Sequence, residues 1–92
     1  MSQILMYTTQ YCSYCYRAKD LLDRKDVKFE EIAVDNSMPL RQEMMEKSGR
    51  YTVPQIFINN RSIGGCDELH QLERSGQLDS LLNENIESNS IN

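Results

Sequence analysis

Two cysteines three positions apart constrain this chain more than any other feature. Cys12-Ser13-Tyr14-Cys15 follows the apolar run Ile4-Leu5-Met6-Tyr7 and precedes Ala18, Leu21 and Leu22, which recur at i, i+3 and i+4. The first run reads as a strand and the second as a helix. The pair therefore stands where a strand hands over to a helix N-terminus. Free backbone N–H groups and the helix dipole favour negative charge there. A thiol in that place ionises more easily, and such sites lower a cysteine pKa to roughly 3.5–7.5. The thiolate is the form that attacks disulfides, and Cys15 is close enough to attack a mixed disulfide formed on Cys12. A C-x-x-C pair early in a βαβ pattern points to redox chemistry. The competing readings are two unrelated buried cysteines, or half of a zinc site.

The rest of the chain narrows the choice. Its 92 residues suit one domain with a modest core. A net charge of -4 without a Lys/Arg-rich block argues against nucleic acid as a partner. No stretch approaches the roughly 20 apolar residues of a membrane span. Met1-Ser2-Gln3 leads into a strand with no basic region or small-residue cleavage site, so no secretory signal is expected and the default location is cytoplasmic. Three cysteines, an odd number, suit a reducing compartment.

Taken in order, residues 4–8 read as a strand covered on both faces, and 13–25 as a helix. Val27 to Val34 is a second strand, and the adjacent Glu30 and Glu31 suggest an edge or a bulge. The return implies a right-handed parallel βαβ unit. Ser37 and Pro39 start a helix carrying Leu40 and Met44, and Gly49 ends it. Gln55 to Ile58, Asn59-Asn60 and Arg61 to Ile63 form a hairpin, because Asn tolerates the positive φ of a two-residue turn. Asp67 is expected to cap a helix with Leu69 and Leu72 that ends near Gly76. Leu78, Leu81 and Leu82 make a last apolar stripe. The expected architecture is α/β: a four-stranded mixed sheet flanked by three or more helices, in the order β-α-β-α-β-β-α. Residues 1–82 form the domain. Residues 83–92, mostly Asn, Ser and Glu, form a tail whose composition supports no packing.

Three further features carry chemistry. Thr52-Val53-Pro54 precedes the third strand, where proline costs no ladder bond. A cis bond at Pro54 would turn the Val53 backbone outward to pair with an extended peptide. Gly64-Gly65-Cys66-Asp67 is a turn into a helix whose N–H groups suit a carboxylate, or a plain glycine turn. Cys66 and His70 lie at i and i+4, and with Cys12 and Cys15 they would complete a Cys₃His zinc set. The bland reading of Cys66 is a small buried hydrophobe.

With these pieces in order, the chain resembles the glutaredoxins of the small dithiol class. The match rests on Tyr7-Thr8, Cys12-Ser13-Tyr14-Cys15, Thr52-Val53-Pro54-Gln55-Ile56-Phe57-Ile58 and Ile63-Gly64-Gly65-Cys66-Asp67, spread over residues 3–82. The resemblance implies a thioredoxin-like fold and a monomer. It implies reduction of protein–glutathione mixed disulfides and protein disulfides at the expense of glutathione, a co-substrate and not a tightly bound cofactor. Cys12 would be the nucleophile and Cys15 the resolving thiol. Tyr14, Thr52, Val53 and Pro54 would line the glutathione groove. The γ-glutamyl carboxylate would sit at Gly65, Cys66 and Asp67. Two positions depart from the family pattern. Ser13 replaces the usual proline, which admits an alternative: a carrier of a [2Fe–2S] cluster ligated by Cys12 and glutathione. Thr9 replaces a frequent lysine, leaving Arg50 or Arg41 to supply the cation.

Overall fold

Side-chain alternation along two strands decides how the sheet is buried. In the computed structural model, which describes residues 3–83, strand β1 spans Ile4–Thr8 and β3 spans Gln55–Ile58. They pair antiparallel at the centre of the sheet, with Met6 opposite Ile56. Strand β2, Glu30–Ala33, runs parallel to β1 at one edge. Strand β4, Arg61–Gly64, runs antiparallel to β3 at the other. The order is β2-β1-β3-β4.

Successive side chains of a strand point to opposite faces. Ile4, Met6, Ile56 and Ile58 accordingly enter one core, and Tyr7 and Phe57 enter another. Helix α1, Ser13–Arg24, fills the first core with Ala18, Leu21 and Leu22. Helices α3, Cys66–Ser75, and α4, Gln77–Leu82, add Leu69 and Leu78 to it. Helix α2, Met38–Ser48, covers the opposite face with Met44. The mixed sheet is thus covered on both sides, as the apolar β1 required.

Local signals acted as read. The Leu40 N–H donates to Ser37 Oγ at 3.2 Å. Gly49 ends α2 at φ 77, and Asn59 and Asn60 turn the hairpin at φ 53 and 67. The second strand is shorter than expected. Asp26 turns the chain at φ 58, and the Val27 N–H bonds back to the Leu22 carbonyl at 3.2 Å. Val27 and Phe29 then pack against the α1 side of the core, and the ladder with β1 begins only at Glu30. β2 is an edge strand, and the register irregularity lies instead between Ile56 and Phe57 on β3. Of the expected tail, residues 83–92, all but Asn83 lie outside the described residues.

Candidate active site

Strand β1 and helix α1 deliver the two thiols to one spot. Cys12 is the N-cap of α1, with extended backbone at φ -139, and its Sγ accepts the Cys15 N–H at 3.0 Å. The pair forms a disulfide, with Cα atoms 5.2 Å apart. Cys12 is half-buried and Cys15 is 1% exposed. No acidic residue stands in the first turn of α1. Negative charge on Cys12 Sγ therefore meets an N–H donor and the positive end of the helix dipole, with no like charge in that turn. The loop before the pair is tied at both sides. The Gln10 N–H donates to Asp35 Oδ2 at 2.6 Å, and the Tyr16 hydroxyl donates to the Gln10 carbonyl at 3.1 Å. Neither Asp35 nor Tyr16 carries a motif, so sequence reasoning missed both.

The Thr52-Val53-Pro54 stretch comes to the same place. The Val53–Pro54 bond is cis, and the Val53 carbonyl oxygen lies 3.8 Å from Cys12 Sγ. Gln55, fully buried, holds this stretch by donating from Nε2 to the Thr52 carbonyl at 2.9 Å and to Thr52 Oγ1 at 3.2 Å. Gln55 is a third residue to which the sequence assigned no role. A cleft here is lined by Tyr14, Thr52, Val53 and Pro54, and also by Gly65, Cys66 and Asp67 from the start of α3. The candidates other than Cys12 and Cys15 thus share one cleft, and Cys12 stands against its Val53 edge. Arg50 also lines it, whereas Arg41 does not; Thr9 lines a different cleft with Lys19, Glu31 and Asp35.

The start of α3 differs from expectation. Its N-cap is Gly65, so Asp67 sits in the first turn and caps nothing. The cap is Glu68, whose Oε1 accepts the Gly65 N–H at 2.7 Å and pairs with Arg50 Nη1 at 3.3 Å. The reason is geometric: a side chain that reaches back to the N-cap N–H belongs three residues on. That backbone bond first, and then Arg50, hold the Glu68 carboxyl below the usual carboxylate range.

Cys66 is 4% exposed, and burial pushes its thiol pKa up. His70 Nδ1 lies 3.4 Å from its Sγ and 2.9 Å from its carbonyl oxygen. Among the described residues, no three or more His, Cys, Asp or Glu side chains gather to hold a metal ion. The Cys₃His set is therefore not assembled among the described residues.

Comparison with known proteins agrees with this arrangement. The family model described as glutaredoxin matches residues 4–63. The chain is similar to a glutaredoxin of Pseudomonas aeruginosa, 55% identical over 82 residues that cover 89% of this chain and 98% of that protein. It is 50% identical to glutaredoxin 3 of Escherichia coli K12 over 82 residues, covering 89% and 99%. Among solved structures, a buckwheat glutaredoxin–glutathione complex matches with TM-score 0.81 at 30% identity, over 88% of this chain and 76% of that one. The fold is thioredoxin-like, and the Cys12–Cys15 pair fits its C-x-x-C active site. A chain matched by that family from its first strand into its fourth, and by full-length relatives at half or more of the aligned positions, belongs to the glutaredoxin family of thiol–disulfide oxidoreductases.

Proposed function

We propose that the protein uses glutathione to reduce protein–glutathione mixed disulfides and protein disulfides, with Cys12 as nucleophile and Cys15 as resolving thiol. The observation that carries this reading is the position of Cys12 Sγ. It is half-buried, hydrogen-bonded by the Cys15 N–H, and 3.8 Å from the Val53 carbonyl at the edge of the cleft. The buckwheat relative, whose structure is described as a glutathione complex, supports glutathione as the occupant. In this reading the substrate's cysteinyl backbone pairs with Val53 beside Thr52 and Pro54, and Tyr14 flanks it. Its γ-glutamyl carboxylate lies at the start of α3, at Gly65, Cys66 and Asp67.

The chemistry balances as two thiol–disulfide exchanges. The Cys12 thiolate attacks the glutathionyl sulfur of a mixed disulfide, an S–S bond forms on Cys12, and the protein thiolate leaves. A glutathione thiolate then attacks that glutathionyl sulfur, restores the Cys12 thiolate and leaves as oxidised glutathione. On a protein disulfide the mixed intermediate is bulky. Cys15, deprotonated, attacks Cys12 Sγ and expels the second substrate thiolate, and two glutathione molecules then reduce the Cys12–Cys15 disulfide. One chain, residues 1–82, suffices for this cycle, and a reducing cytoplasm supplies its glutathione. No described helix is long and apolar enough to cross a membrane. The cluster-carrier alternative would draw Cys12 as its ligand from this chain, and only Ser13 favours it.

Two assays run side by side test the assignment. Cys12→Ser should abolish both deglutathionylation and protein-disulfide reduction. Cys15→Ser should keep deglutathionylation and lose most of the dithiol reaction. If a folded Cys15→Ser variant loses both equally, the division of labour is wrong.

A further inference from the structure

Glu68 takes no part in the thiol exchange, yet its carboxylate stands among the groups that would hold an anion. Oε1 accepts the Gly65 N–H at 2.7 Å and lies 3.3 Å from Arg50 Nη1. The first is an N–H at the start of α3. The second is the positive charge among the described residues lining the cleft. An internal carboxylate therefore occupies donors that an anionic substrate needs.

We propose that Glu68 is a specificity-determining residue that weakens the cleft's hold on anionic substrates by neutralising Arg50. This rests on the glutathione reading above, since that tripeptide is a net anion at neutral pH. A substrate carboxylate arriving at Arg50 shares the guanidinium with Glu68 or displaces it. The neighbouring Asp67 is exposed, so water and salt screen its charge.

Glu68→Gln separates the two bonds. The amide oxygen still accepts the Gly65 N–H, so the helix start keeps its cap, while the charge on Arg50 is released. The KM for a glutathionylated peptide should fall about two- to fivefold, the range of an exposed ion pair. The Kd of S-methylglutathione, measured by calorimetry without turnover, should fall by the same factor. Added salt should shrink the gain, and adding Glu68→Gln to Arg50→Gln should give none. An unchanged or higher KM in Glu68→Gln overturns the proposal. So does a gain of equal size in the Arg50→Gln background, because the effect would then not run through Arg50. A native protein that shows no saturable dependence on glutathione removes the functional reading itself. A native protein that does, beside an indifferent Glu68→Gln, removes this proposal alone.

Discussion

At the scale of single residues, Cys12 and Cys66 differ because their burial differs. Cys12 sits on the free N–H groups of α1, and its sulfur already accepts the Cys15 N–H at 3.0 Å. Cys66 also opens a helix, yet it is 4% exposed, and burial outweighs the helix start there and raises its pKa. Alkylation of the reduced protein at a series of pH values should therefore show two behaviours. Cys12 should react with a midpoint well under the ordinary value of about 8.5, and Cys66 should react slowly with a midpoint above it. A Cys12 midpoint near the ordinary value would sink the helix-terminus argument.

At the scale of elements, the turn from β4 into α3 is the tightest joint near the site. Gly64 has φ +105, and a Cβ there would fall 2.7 Å from Glu68 Oε1 and 2.8 Å from its Cγ. Gly49, at the end of α2, has φ +77 but nothing within 4 Å of its would-be Cβ. The two glycines thus separate backbone strain from crowding. Gly49→Ala should cost about 1 kcal/mol, the strain of a left-handed residue. Gly64→Ala should cost more, about 2–3 kcal/mol, because the Glu68 cap must also give way. Urea unfolding of both variants checks the order, and equal losses would mean that Glu68 swings aside freely. Elsewhere, tertiary contacts overrode local pattern: Val27 and Phe29 have strand-like composition but are used as core contacts ahead of β2.

At the scale of the whole molecule, charged groups tie the layers together and set a pH window. The Thr8 hydroxyl, then Lys19, hold Glu31 on β2 below the usual carboxylate range. The Tyr7 hydroxyl does the same for Glu43 on α2, and the Gly65 N–H for Glu68 on α3. Each folded pKa is thus below its unfolded value of about 4.3. The stability they contribute is fully present above that value and is lost as pH falls through the folded pKa values. The alkaline side has the opposite sign. Lys25 bonds Asp79 of α4 at 2.7 Å and Glu73 of α3 at 2.8 Å, which raises its pKa. Burial and the Glu43 carboxylate raise that of Tyr7. Both contributions are complete below their unfolded values of about 10 and are lost as pH rises through the folded ones. Urea midpoints measured from about pH 3 to pH 11 should form a plateau with a falling limb at each end. A profile still rising below pH 4 would contradict the acid limb.

How much of this was legible in the chain follows from the range of each interaction. The strand–helix junction at Cys12, the two-faced burial of β1, the Ser37 cap, the Gly49 stop and the Asn59-Asn60 turn are determined within a few residues. Backbone geometry and side-chain spacing suffice for them, so the sequence by itself determined the fold class and the redox pair. Contacts between distant segments were not legible. Glu68 and Asp67 are adjacent acids, and only the geometry of the Gly65 N–H and the approach of Arg50, 18 residues away, chose the first as the cap. Asp35 and Gln55 bear on the site only because folding brings Asp35 to the loop before Cys12 and fixes the Thr52 stretch against Cys12 itself. Which arginine enters the cleft and where β2 begins were likewise decided by the tertiary structure, because each depends on a partner that comes near only when the chain has closed on itself.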